Sequence, residues 1–208
     1  MTPIPLPFIY GAFLLSGAAA LIYQVVWQRS LFTLYGVNVE AVTIVVAAFM
    51  LGLGLGSFIG GKFSKRPNAP LPAWFGAVEL GIGAFGLVSL DLFHLVGKAT
   101  AGAQGFATFA LSFSLVLIPT LLMGSTLPML VAYAVRASHN VGRSVGMLYF
   151  INTLGSALAS IAAGIYLLGH FGQSGSVRLA ALCNGLVGGA VLIWWFLARD
   201  KKSIAKEG

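Results

Sequence analysis

Six apolar stretches, each about long enough to cross a bilayer, fill nearly the whole of this chain. A hydrocarbon core of about 30 Å takes roughly 20 residues at about 1.5 Å rise, and the stretches fall at 8–33, 40–61, 73–96, 105–134, 145–168 and 176–198. They are apolar all round, whereas a helix of a soluble core keeps a polar face. Composition agrees, since 58% of the 208 residues are hydrophobic and 8% charged, too little polar surface for a water-soluble domain. The sequence predicts an all-α integral membrane protein, one six-helix transmembrane domain over 1–208 with no room for a folded extramembrane domain.

Basic residues give the orientation. With the first helix starting inside, Lys62, Lys65, Arg66, Arg136, Arg143, Arg199, Lys201, Lys202 and Lys206 fall on the cytoplasmic side, and Arg29, Lys98 and Arg178 at outer ends. This bias predicts both termini inside and accounts for the net charge of +7. No basic stripe or stacking platform accompanies it, which excludes nucleic acid as a partner. MTPIPLPF lacks a basic n-region and leads into an apolar stretch too long for a cleaved leader, so the first helix is expected to be retained. Cys183 is the sole cysteine and His94, His139 and His170 are scattered, so no disulfide, metal or cofactor is expected.

Small and polar residues mark faces that meet something other than lipid. Gly52, Gly56 and Gly60 recur every four residues, widened by Gly54 and Gly61, and Ser156, Ser160 and Gly164 repeat the spacing in the fifth helix. Such rows let helix backbones approach closely; they fit tight packing or the wall of a narrow path. Pro119 and Pro128 flank Gly124, Ser125 and Thr126, which predicts a kink or break in the fourth helix, and broken helices near the midplane are where transporters hold substrates and ions. Tyr149, Asn152, Thr153 and Ser156 form one polar face. Gln24 and Gln28 form a stripe on the first helix, and an amide in hydrocarbon needs partners. Tyr23 and Trp27 read as interfacial belt anchors.

Glu79 is the sharpest single residue, because a carboxylate within a span must be protonated, paired or hydrated. Two readings stay open: an ion pair with Lys62 or Arg143 that fixes helix positions, or a titrating or cation-binding group. Arg29, Glu40, Asp91 and Arg178 fall at comparable depth near the outer face, which suggests an outer charge cluster. The substrate- or ion-binding candidates are therefore Glu79, Gln24, Tyr149, Asn152, Thr153, Thr126 and Asn184.

Internal similarity is weak but ordered. G-S-F-I-G-G from Gly56 parallels G-S-A-L-A-S from Gly155, and E-L-G-I-G-A-F-G-L from Glu79 parallels N-G-L-V-G-G-A-V-L from Asn184. Two three-helix units would enter the membrane in opposite senses, a 3+3 inverted repeat like that within each half of a major-facilitator transporter.

The motifs S-G-A-A-A-L-I-Y-Q-V-V-W-Q-R from Ser16, A-A-F-M-L-G-L-G-L-G-S-F-I-G-G-K from Ala47, V-E-L-G-I-G from Val78, L-M-G-S-T-L-P from Leu122 and G-R-S-V-G-M-L-Y-F-I-N-T-L-G from Gly142 together resemble the membrane domain of the bacterial fused major-facilitator/spermidine-synthase family. The resemblance implies a multi-pass protein of the bacterial cytoplasmic (inner) membrane, a bundle equivalent to half of a major-facilitator transporter. It also implies a stand-alone version without the soluble aminopropyltransferase domain, and so no enzymatic activity in this chain. Three functions fit: a transporter-like protein moving a small cationic solute as a homodimer or with another membrane chain, a non-transporting subunit or scaffold of a larger membrane complex, and a membrane anchor for a separately encoded aminopropyltransferase-like enzyme. The lipid bilayer is the remaining partner.

Overall fold

In hydrocarbon the backbone must bond to itself, and a helix does so within one segment. The computed structural model describes residues 4–101 and 105–207, and their side chains except those of Tyr35, Asn38 and residues 200–207; Lys201, Lys202 and Lys206 therefore lie outside the described side chains. The helices are α1 (Leu6–Tyr35), α2 (Asn38–Ser64), α3 (Leu71–Ala99), α4 (Gly105–Ser138), α5 (Val141–Ala162), a π-helical segment (Ala163–Leu167) and α6 (Leu168–Glu207). No described residue is in a strand.

Local chemistry sets the ends. Gly36 closes α1 in the left-handed region (φ 70°), its N–H on Phe32 O at 2.8 Å, a conformation a side chain would oppose. Asn140 caps α5 by accepting from the Arg143 N–H at 2.9 Å.

Five helices are long and apolar enough to cross a membrane: Leu6–Leu34, Val39–Ser64, Leu71–Ala99, Gly105–Ser138 and Val141–Arg199. The fifth, of 59 residues, contains both expected spans 145–168 and 176–198 in one helical run. Within it Gly172 leaves helical geometry at φ 64°, ψ −169°, a region open in practice to glycine alone. The break foreseen in the fourth helix is absent, because α4 is continuous through Pro119 and Pro128. Pro128 has no N–H for the Gly124 carbonyl one turn back, and the Ser57 hydroxyl of α2 donates to it instead at 3.0 Å.

Two apolar clusters form the core. One gathers Ile22, Val26, Trp27 and Leu31 of α1 with Ile44 and Val45, Ala163, Leu167, Val177 and Ala180. The other holds Ile9 and Phe13 with Phe75, Leu130, Leu148, Val187 and Val191. Lipid is as apolar as these side chains, so association rests on close packing and hydrogen bonds. Helix α2 packs along α4 and α5 along α1, α3 lies against α4 and α6 against α1, and α3 and α6 pack on each other.

Candidate functional site

The glycine rows bring backbones together where they face a neighbour. A Cβ on Gly60 would lie 2.6 Å from Ser125 O, and one on Gly56 would overlap Leu121 O. Gly52 faces Thr120, whose hydroxyl donates to Ala48 O at 3.2 Å and, within α4, to Val116 O and Leu117 O. In α5 the contact belongs to Gly155, which abuts Leu14 O, and to Ser156, which donates to Gly17 O at 3.0 Å. Ser160 and Gly164 are exposed, with nothing within 4 Å of a Cβ on Gly164. Of the expected row Ser156, Ser160, Gly164, Ser156 keeps its place in the contact, and Ser160 and Gly164 are corrected to Ala159 and Ala163, which with Gly155 form the buried face.

Helices α1, α2, α4 and α5 enclose a cleft of about 310 Å³. Its walls carry Gln24, Thr126, Tyr149, Asn152 and Ser156 of the expected residues, together with Ser16 and Ser57, set among apolar side chains such as Phe49, Leu53 and Met123. Thr126 is buried and its hydroxyl is spent on Met123 O at 2.7 Å, so it offers only its acceptor side. Tyr149 is 64% exposed at the rim. Thr153 is exposed and outside the lining. A larger cavity of about 630 Å³ lies beside the start of α1 and the end of α4, between the segment from Pro67 into the first turn of α3 at Pro72, Tyr133, Arg136 and Trp195. Its one cation is engaged, since Arg136 donates to Ser64 O and Arg66 O, both at 2.9 Å.

Glu79 lies about 12 Å along α3 from Leu71 at 1.5 Å per residue, and it is wholly buried. Neither Lys62 nor Arg143 reaches it. The Lys62 ammonium sits 4.3 Å over the Phe58 ring, and Arg143 is exposed at the start of α5. Instead Ser16 of α1 donates to Glu79 Oε1 at 2.6 Å, and Asn184 Nδ2 of α6 donates to Oε2 at 2.7 Å. Asn184 Oδ1 is buried without a hydrogen-bond partner. One carboxyl group thus joins three helices, and among the described residues no cation shares the node.

The same faces of α1 and α3 continue the contact. Tyr23 lies against Gly86 and stacks on Trp27 with ring centroids 5.1 Å apart, and Trp27 Nε1 donates to Ser89 Oγ at 3.0 Å. Both aromatics have 0% exposure, which corrects their reading as belt anchors: glycine at 86 leaves room for the tyrosine and Ser89 meets the indole N–H. Arg29, Glu40, Asp91 and Arg178 are all exposed, and no side-chain hydrogen bond joins any two of them among the described residues. Ser16 and Ser57 belong to no polar row in the sequence that would mark them as site residues. Ser16 was legible in part, lying 7 and 11 residues before Tyr23 and Trp27 on one helical face.

No family model matches the chain, and no solved structure matches it. It is similar to a polyamine aminopropyltransferase of Oceanobacillus iheyensis, 23% identical over 192 residues, which make up 92% of this chain and 36% of that protein. The chain thus spans about a third of the length of the relative it matches.

Proposed function

We propose that the chain is one half of a membrane transporter for a small solute, with the cleft between α1, α2, α4 and α5 as its half of the path. The observation that carries this reading is the cleft itself: Gln24, Asn152 and Ser156, all half-buried, line one space of about 310 Å³ between apolar helices, where a polar side chain is costly unless it finds a partner. A second copy, or another membrane chain, would close the open side at Tyr149.

The architecture we infer is six passes in two inverted units. Leu167 and Val177 share one core cluster, while Leu148 and Val191 share the other, as they would if the chain turned back at Gly172. The packing pairs also exchange when α1, α2 and α3 are matched with α4, α5 and α6. Gly56 on Leu121 and Ser57 on Gly124 correspond to Gly155 on Leu14 and Ser156 on Gly17. Gly83 against Ala181 corresponds to Gly188 against Gly76. The basic ends of α2 and α4, joined by Arg136, would lie in the cytoplasm of a bacterium, with both termini on that side.

Similarity to a polyamine aminopropyltransferase favours an amine cation as the solute. The test is uptake of labelled diamines and polyamines into proteoliposomes containing the chain extracted and purified in its native complex; transport that Asn152→Leu abolishes supports the reading, and none above protein-free vesicles ends it. The same similarity favours a second reading, a membrane subunit or anchor of an aminopropyltransferase. Intact mass spectrometry of the native complex separates the two, since an enzyme chain at fixed stoichiometry belongs only to the second.

A further inference from the structure

A single side chain stands between Glu79 and the cleft. Ser16 lines the cleft and its hydroxyl is on Glu79 Oε1, so whatever enters the cleft is one hydroxyl away from a wholly buried carboxyl group. The two donors at that group, Ser16 and Asn184, are both neutral and leave the charge of an ionised carboxylate uncompensated, an arrangement hydrocarbon strongly disfavours. Asn184 adds a buried oxygen with no partner, a lone pair free to receive a proton-bearing oxygen or to ligate an ion.

We propose that Glu79 takes up one monovalent cation, a proton or an alkali ion, from the cleft by way of Ser16, and that this cation drives the transport inferred above. In the proton case a hydronium of the cleft gives a proton to Ser16 Oγ as the hydroxyl passes its own to Glu79 Oε1, which leaves a neutral water in the cleft and a neutral carboxyl group. In the alkali case the carboxylate, Ser16 Oγ and Asn184 Oδ1 supply oxygen ligands, the donor type that hard cations take. Other ionisable groups do not substitute for it. On α1 Tyr23 is packed against Gly86 with its hydroxyl buried without a partner, a phenol that carries no negative charge to be met by a cation; on α6 Cys183 is a half-buried thiol, and on α4 Tyr133 and Arg136 are bonded to Ile4 O and to the Ser64 and Arg66 carbonyls. Under the repeat inferred above, Met123 and Asn184 occupy in the second unit the places of Ser16 and Glu79, so the acid and its hydroxyl belong to one unit alone.

The test is the melting temperature of the detergent-solubilised protein, read from tryptophan fluorescence, in two series: pH at constant salt, and sodium against choline at constant pH. Wild type is expected to lose several degrees as the pH rises if the cation is a proton, because removing it strands a buried charge. It gains several degrees with sodium if the cation is an alkali ion. Glu79→Gln should be flat in both series, and Ser16→Ala, which takes one donor from the buried carboxyl group, should lower the melting temperature and slow solute uptake. Wild type flat in both series, or Glu79→Gln tracking wild type, overturns the proposal. Should Glu79→Gln not fold, dicyclohexylcarbodiimide on the wild-type protein decides, since it modifies protonated carboxyl groups in apolar surroundings. An adduct on Glu79 suppressed by sodium or by raised pH supports the site, and no adduct at any pH rejects it. Cation binding without uptake in proteoliposomes would remove the transport reading and leave the site standing; uptake without binding would do the reverse.

Discussion

The seam between α2 and α4 and the seam between α1 and α5 use the same two contacts and reach opposite results. In each, a glycine rests on a carbonyl of the other helix, Gly56 on Leu121 and Gly155 on Leu14. In each, the next residue is a serine that donates at 3.0 Å to a glycine carbonyl, Ser57 to Gly124 and Ser156 to Gly17. Helix α2 then repeats the glycine a turn away on both sides, with Gly52 on Thr120 and Gly60 on Ser125, and that seam closes along its length. Helix α5 has Asn152 one turn before its glycine and Ala159 one turn after, and Asn152 abuts Gly17 while also lining the cleft. Three glycines in register bring backbones together over three turns. In the α1–α5 seam Gly155 on Leu14 and Gly17 under Asn152 bring the backbones together within about one turn, and space is left beside them for polar side chains.

The largest effect expected from this comparison is at Gly56. Gly56→Leu sets four carbons against the Leu121 and Gly124 backbones and should cost more than about 3 kcal/mol, the upper range for overpacking. Gly155→Leu meets an equally close carbonyl but sits beside a cleft into which α5 can relax, so it should retain more folded protein. Yield and monodispersity by fluorescence-detected size exclusion give the ordering. Equal loss for both variants would break the distinction between a closed seam and a pinned one.

A smaller and sharper contrast separates the two serines. Ser57→Ala leaves the Gly124 carbonyl without its donor, and Pro128 supplies no helical N–H to replace it. The cost should be about 1–3 kcal/mol, that of an unsatisfied buried carbonyl. Ser156→Ala should cost less than about 1 kcal/mol, because the Gly17 carbonyl keeps the N–H of Leu21 one turn on. Adding Pro128→Ala to Ser57→Ala should return part of the loss, and a double-mutant cycle of melting temperatures measures that coupling. Additive effects would mean that Ser57 does not serve the carbonyl freed by the proline.

The smallest effect is at Gly164. Gly164→Ala meets nothing within 4 Å and should change stability by less than about 0.5 kcal/mol. A large loss of stability, or a change of oligomer size on size exclusion, would move this residue from the lipid-facing surface to an interface with a second chain.

One residue of register decides which face of the fifth helix packs. Gly155, Ala159 and Ala163 form one small-residue row, and Ser156, Ser160 and Gly164 form another about 100° round the helix, as 3.6 residues per turn requires. Both rows have the spacing that permits close approach, and nothing local says which one meets α1. The second helix offered no such choice, because its row at Gly52, Gly56 and Gly60 is glycine throughout. The fourth helix misled for a related reason: Pro128 does remove a hydrogen bond, but a serine 71 residues earlier makes up the loss, and a helix whose freed carbonyl is satisfied need not break.

Composition and periodicity by themselves determined that the chain is helical, apolar enough to cross a membrane several times, and closely packed through α2. These are local quantities: run length against bilayer thickness, and side-chain size at every fourth residue. The partners of Glu79 were beyond them. Ser16 and Asn184 stand 63 and 105 residues from it, and whether a buried carboxyl meets a lysine, an arginine, a serine or an amide depends on which helix ends up beside it. The same holds for the cleft, whose walls come from four helices and whose polar residues are each unremarkable alone. A span can be read from its own residues because each must suit lipid; a site cannot, because its chemistry is the sum of groups that only the packing of α1, α3 and α6 brings within hydrogen-bonding distance.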